Sequence, residues 1–443
     1  MSDKHDIAGI VQELKSSGIR YLRFELPDLH GISRSKVVPI DKVESYAHNG
    51  LNLYGGTLGL DTASSVVPGT GLHEEINYAD THLFPDFDTV QRLPWKPGMA
   101  KVICDVHFLD HRPLPQAPRR VLENLLHIAS EMGFHVTLGH EFEFYLLDGE
   151  THQPFFEGLH IFNTVRNDQG DFLTGLLDHL QGVGVDVITH NCEYAGSQYE
   201  INFGPGRGLA GADKAFTFKN TTKELAHRAG LLATFMSKPW PDRAGSGCHV
   251  HLGLTNRDNG SNAMLNAGAA DGLSTTAHQF VAGILVHAPA MMALCDPTPN
   301  CYHRLKPHTF APSNISWGVE DRTALVRVKA TRDERTHIEM RGASALSNPY
   351  LSAAAVLAAG LLGIRNGLSL EPEVDGPSEE NESLPKLPGS LEEALGSLMT
   401  DAAMQGMLGE EFVKLYTTVK RFELGRFRAH ITDWERDEYL TVY

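Results

Sequence analysis

Cysteine is scarce in this chain: five residues in 443. The number is odd, and Cys104, Cys192, Cys248, Cys295 and Cys301 form neither a CxxC pair nor a disulfide framework. Reduced thiols of a cytosolic protein are expected. Basic residues are outnumbered, 38 Lys and Arg against 55 Asp and Glu, for a net charge of -17. That balance disfavours nucleic acid or an anionic membrane as a partner. The longest uncharged apolar run, Pro349 to Ile364, is shorter than the ~20 residues needed to span a bilayer. The N-terminal residues Met1 to Asp6 are polar and show no signal-peptide pattern. Neither GxxxxGK[ST] nor GxGxxG occurs between a strand and a helix, which argues against a P-loop or Rossmann nucleotide site. There is no internal repeat and no low-complexity tract.

What is present is the composition of a globular protein, 42% apolar, 21% charged and 8% aromatic. A chain of this length is expected to hold more than one domain. A cytoplasmic enzyme or scaffold is the expectation. Asp6 to Ser17 has helical apolar spacing. Ile19 to Leu26 and Ile32 to Ile40 alternate as strands around a turn at Pro27 to Gly31. Leu51 to Thr70, rich in Gly, Thr and Ser, reads as a loop, and Met99 to Leu109 as a strand. His111 to Pro118 holds three prolines and marks a domain boundary. Pro118 opens a helix that stops at Gly133. Further helices are expected over Phe172–Val183, Ala212–Met236 and Thr275–Leu294, and after the Asn348 cap as far as Ile364. Pro372 to Pro388 reads as a surface loop.

The chemistry centres on Gly139-His-Glu-Phe-Glu-Phe144. In a strand, Glu141 and Glu143 point to one face, because side chains alternate with a period of two. An ordinary half-exposed strand has the same pattern. Two buried like charges, however, need a wet face or a cation between them. His249 and His251 share a face by the same rule, as do Glu339 and Arg341, while Glu193 and Glu200 flank Gly196. Either histidine could equally be a packed core residue. Together the five glutamates and one histidine could supply two three-ligand sites. Carboxylate-rich sites suit Mg²⁺ or Mn²⁺. Arg304, Arg322, Arg327 and Arg341 lie within Asn300 to Arg341, and arginine suits bidentate capture of carboxylate and phosphate.

These motifs resemble the glutamine synthetase family of the bacterial type I kind. The likeness is carried by Gly139–Phe144, Glu193–Glu200, Lys238-Pro239 with Gly245–His251, Asn300–Leu305, Asp321–Arg327, Ile338–Arg341 and Asn348–Leu351, and runs from about Ile19 to the C-terminus. The resemblance implies an α+β fold. A small N-terminal β-grasp domain (residues 1–110) precedes a catalytic domain with a curved antiparallel sheet (residues 111–443). It implies a dodecamer of two hexameric rings with active sites between subunits. It implies one metal on Glu143, Glu193 and Glu200 and a second on Glu141, His249 and Glu339. His251, Arg327 and His337 would face the ATP phosphates, with Arg322 and Arg327 toward the transferred group. Arg304 and Arg341 would grip glutamate and the phosphoryl group, and Gly245 would line the glutamate loop. The activity implied is ATP-dependent activation of the γ-carboxylate of L-glutamate as an acyl phosphate, followed by attack of an amine.

Two departures concern that amine. Ammonia users in the family carry an Asp where this chain has Gly55, in Tyr54-Gly-Gly-Thr-Leu58, and a flap Glu where it has Phe310. Both acids serve ammonium. Their loss points to an organic amine, with Tyr54 and Phe310 as an apolar wall, and leans toward hydrophobic or aromatic amines over polyamines. For an alkylamine, Asp61 or another carboxylate not placed by the sequence would have to act as base; an arylamine would not need one. His337 stands in place of a family Arg, and Ala244 in place of an Asn. Asn381 to Pro385 lacks the Tyr that some members have adenylylated. The competing readings are an ammonia-dependent glutamine synthetase and a non-catalytic, lengsin-like structural member.

Overall fold

The computed structural model describes residues 6–155, 161–167, 171–374 and 376–443. The polar Met1–His5 stretch therefore lies outside the described residues. Asp6 caps α1 (Ile7–Ser16), its carboxylate accepting from Gly9 N at 3.0 Å. β1 (Tyr21–Pro27) and β2 (Ser33–Pro39) form a hairpin. Asp28 pins its turn by accepting from His30 N and Ile32 N, both at 2.9 Å. α2 (Ile40–Asn49), β3 (Leu51–Tyr54), β4 (Asp80–Pro85), β5 (Gln91–Arg92) and β6 (Met99–His107) complete a six-stranded sheet of order β2-β1-β6-β4-β3, with β5 on β6.

The segment expected as a loop from Leu51 thus begins as a strand paired with β4. It continues as a 3₁₀ turn over Gly55–Gly59. Its glycines serve packing rather than looseness. A Cβ on Gly56 would lie 2.3 Å from His73 Nδ1, and one on Gly59 2.8 Å from His73 Nε2.

α3 (Pro118–Glu131) leads into β7 (Phe134–Asp148), the long central strand of a second, nine-stranded sheet. After α4 (Thr164–Asn167) and α5 (Asp171–Gly182) come β8 (Val187–Cys192), β9 (Gln198–Phe203), β10 (Gly206–Arg207), α6 (Leu209–Arg228) and β11 (Leu231–Thr234). Then follow β12 (Cys248–Asn256), α7 (Thr275–Cys295), β13 (Trp317–Val319), β14 (Val326–Lys329) and β15 (His337–Met340). The order is β13-β14-β15-β12-β7-β9-β8, with β10 and β11 also on β7. Every pair is antiparallel except β13–β14. α6 was expected to reach Met236. Instead the chain turns at Gly230 (φ +74°), and Leu231–Thr234 pairs with the end of β7. A turn that needs positive φ stops a helix regardless of the apolar residues beyond it.

α8 (Pro349–Asn366), α9 (Leu391–Thr400), α10 (Ala402–Leu408), α11 (Glu410–Ala429) and α12 (Asp433–Tyr439) finish the chain. Asn348 caps α8 by accepting from Tyr350 N and Leu351 N. α7 is long and apolar enough to cross a membrane, yet 72% of that window is buried inside the protein. It is a core helix. Glycines let it approach α8 closely: a Cβ on Gly283 would lie 2.2 Å from Ala359 O. One hydrophobic cluster runs continuously through both sheets and these helices. Arg119 of α3 ties them electrostatically. It donates to Asp213 of α6 through two nitrogens at 2.9 Å, to Asp105 of β6 at 2.8 Å and to Asp86 at 2.6 Å.

Candidate active site

Phe142 and Phe144 of β7 are buried against Phe218 and Phe235. That fixes the strand's register, so Glu141 and Glu143 emerge together on the opposite face. Neighbouring strands then supply the rest by direct cross-strand pairing. His249 of β12 is the partner of Glu141, and Glu200 of β9 the partner of Glu143. Glu339 of β15 pairs with His251, and Arg327 of β14 with Glu339. Five adjacent strands thus present one polar row across the sheet.

Among the described residues, the ligand atoms of Glu141, His249 and Glu339 all lie within 4.8 Å of one another. His249 Nδ1 is 3.2 Å from Glu141 Oε2 and 3.5 Å from Glu339 Oε1. Burial opposes the charge on Glu339, but His249 and Arg341 hold its pKa at about 2. Glu141 is likewise held well below the usual carboxylate range against burial, by His251 and His249. Glu143, Glu193 and Glu200 are drawn together less tightly. Glu143 Oε2 accepts from Gly247 N at 2.8 Å. Burial, then Glu141, Glu143 and Glu193, push the Glu200 carboxyl up to about 9. Burial and Glu143 push Glu193 to about 7. Crowded, partly buried carboxyls with too little counter-charge are what a divalent cation neutralises, so this donor set fits Mg²⁺ or Mn²⁺.

His251 Nδ1 lies 3.0 Å from His337 Nε2, so one proton joins the rings. Burial lowers the His337 pKa; Glu141 raises that of His251 against burial. Arg304 is 6% exposed and donates to Gly342 O at 3.0 Å and Arg341 O at 3.1 Å. Glycine is needed beside it. A Cβ on Gly245 would lie 2.9 Å from Arg304 Cγ, and one on Gly247 2.5 Å from Arg304 Nη2. Arg341 contacts Glu339 through Nη1, Arg322 O through Nε at 3.1 Å, and Phe310 O through Nη2 at 3.4 Å. Arg327 bridges Glu339 and Glu320. Arg322 is exposed, with its charge acting on Glu193.

Of the residues expected near the amine, Asp61 is reassigned. Tyr54 lies in the N-terminal sheet, its hydroxyl 2.6 Å from His73 Nδ1, and its contacts are with His73 rather than with the site of its own chain. Asp61 is fully buried and already engaged. Oδ1 accepts from Ala63 N at 2.9 Å and Ser65 N at 2.8 Å, while Oδ2 pairs with Arg426. It is a structural anchor, not a free base. Phe310 does reach the site, where it stacks on Tyr194 with ring centroids 5.9 Å apart. Sequence spacing carries no signal for Tyr194, nor for Glu320, because each meets its partner only through loop geometry.

The family model described as glutamine synthetase, catalytic domain, matches residues 115–439. The glutamine synthetase of Methanocaldococcus jannaschii is 33% identical over 447 residues, covering 97% of each chain. That of Halobacterium salinarum is 32% identical, covering 98% of this chain and 96% of its own. Among solved structures, GmaS in an ADP complex superposes with a TM-score of 0.87 at 31% identity, over 98% of this chain and 99% of its own. A novel glutamine synthase homolog does so at 0.83 and 28%, over 96% and 99%. With its fold and its cross-strand row of carboxylates, histidine and arginine, the chain belongs to the glutamine synthetase family of ATP-dependent ligases.

Proposed function

We propose that the chain joins the γ-carboxylate of L-glutamate to an organic amine, forming a γ-glutamyl amide, ADP and phosphate. Glu141, His249 and Glu339 would hold one divalent ion, and Glu143, Glu193 and Glu200 a second. Such ions neutralise charge on a phosphoryl group in transfer. Arg304 and Arg341 orient the glutamate, with Gly245 beside its loop. A γ-carboxylate oxygen attacks the γ-phosphorus of ATP, the bond to the β-phosphate oxygen breaks, and ADP leaves. Arg322, Arg327, His251 and His337 balance the charge around the phosphoryl oxygens. The amine nitrogen then attacks the acyl carbon, the bond to the phosphate oxygen breaks, and the nitrogen gives up its proton to the departing phosphate. We extend this to a cytoplasmic homo-oligomer, a dodecamer of two rings in which Tyr54 serves a neighbouring subunit's site.

The observation that carries the organic amine is Phe310. It falls six residues after Arg304, the sequence position at which the resemblance implies a Glu in ammonia users, and its carbonyl accepts from Arg341 Nη2. An ammonium ion entering there would lose water without a counter-charge in return. The GmaS–ADP complex supports a nucleotide on this scaffold. The relatives described as glutamine synthetases favour the second reading, with ammonia as nucleophile. Phosphate release across an amine panel, with glutamate and Mg²⁺ fixed, separates the two. An organic amine should exceed ammonia in kcat/KM; ammonia ahead of every organic amine refutes the proposal.

A further inference from the structure

We infer that Tyr194 and Phe310 together form the amine-selecting surface, and that the amine it takes carries a flat apolar substituent, aryl or arylalkyl. This rests on the organic-amine reading and names its substrate class. The two rings lie 5.9 Å apart and 22° from parallel, yet remain 39% and 51% exposed. A stacked pair that burial has not claimed keeps free faces and edges for a third ring.

The placement is specific. Tyr194 directly follows Glu193, on which the Glu143 charge acts, while Phe310 accepts from Arg341 Nη2 through its carbonyl. The stack therefore bridges the carboxylate row and the arginine that grips Glu339. The backbone that carries this ring is pinned. Phe310 sits at φ +56° and His308 at φ +62°, a region costly for bulky side chains. Glu379 Oε2 accepts from His308 N at 2.7 Å, and Thr309 Oγ1 donates to Lys306 O at 2.6 Å, pinning the loop. The segment Arg304–Phe310 carries Arg304, Lys306 and His308 and no carboxylate. Lys306 and His308 bring positive charge there, offset in part by Glu379 on His308, and ammonia has no surface to stack.

The test measures kcat/KM for aniline, benzylamine, methylamine, spermidine and ammonia with wild type, Tyr194→Val, Tyr194→Phe and Phe310→Ala. Wild type should prefer an aryl amine. Tyr194→Val and Phe310→Ala should each lower the aryl-to-ammonia ratio about tenfold, through the KM of the aryl amine more than that of glutamate. Tyr194→Phe, which keeps the ring, should hold the ratio within about twofold and guards against a folding defect. Wild-type preference for ammonia would overturn the organic-amine reading and this inference with it. Wild-type use of organic amines with an unchanged ratio in Tyr194→Val and Phe310→Ala, or a preference for spermidine, overturns this inference alone.

Discussion

Glu141 and His249 are cross-strand partners on β7 and β12, and their side chains meet at 3.2 Å. Glu339 closes the triangle at 3.5 Å from the same imidazole nitrogen. Removing one corner should abolish high-affinity binding of a divalent ion at this position. In thermal melts, saturating Mn²⁺ should stabilise the wild type, by about 2.7 kcal/mol at a hundredfold excess over Kd. His249→Ala should lose the share of the increment that this site contributes. An equal Mn²⁺-induced rise in both proteins would exclude this trio as a metal site.

Restoring the acid of the ammonia users at position 55 should fail. A Cβ on Gly55 would lie 2.4 Å from Ala79 O, and backbone yields poorly. Gly55→Ala should therefore destabilise by about 1–3 kcal/mol, and Gly55→Asp by at least as much without increasing ammonia-dependent phosphate release. Denaturant melts and the amine panel measure the two parts. A stable Gly55→Asp protein with improved ammonia kinetics would contradict the packing argument.

The same contrast shows what a single sequence can and cannot reveal. Glu141 and Glu143 were legible because a strand alternates faces, and Phe142 and Phe144 alternate with them on the opposite face. The start of α8 was legible because Asn348-Pro349 encodes both a cap and a first turn. The end of α6 was not, since Leu231–Thr234 looks as apolar as a helix face and only the positive φ of Gly230 redirects it. Asp61 shows a different limit. A buried carboxylate and a reactive one are the same letter, and only its bonds to Ala63, Ser65 and Arg426 separate them.

Arg119 should be among the most stability-critical charged residues. It is 4% exposed and makes ion pairs with Asp86, Asp105 and Asp213. Removing the cation leaves these carboxylates facing one another where α3, α6 and the N-terminal sheet meet. Truncation of one partner in a buried ion network costs about 3–5 kcal/mol. Arg119→Ala should show a loss of that order in urea denaturation. A loss under about 1 kcal/mol would mean the network is solvated and weak.

Acid should undo the clasp between α11 and the turn after β1. Glu423 Oε2 accepts from Lys420 Nζ at 2.9 Å; its Oε1 lies 2.6 Å from His30 Nε2 and accepts from Thr62 N at 3.1 Å. Burial opposes its charge, but Lys420 and His30 hold the pKa at about 2. An unfolded Glu titrates near ~4.3. The folded value is the lower one, so the native state binds fewer protons between these values and stability falls as pH falls. The contribution is complete above about pH 4.3 and is lost on descending toward pH 2. Glu423→Gln should therefore lower Tm at pH 7, and the gap from wild type should close across that acid window. Paired melts from pH 7 down to pH 2.5 measure it. A gap that stays constant through the window would assign Glu423 a packing role and remove its charge from the account.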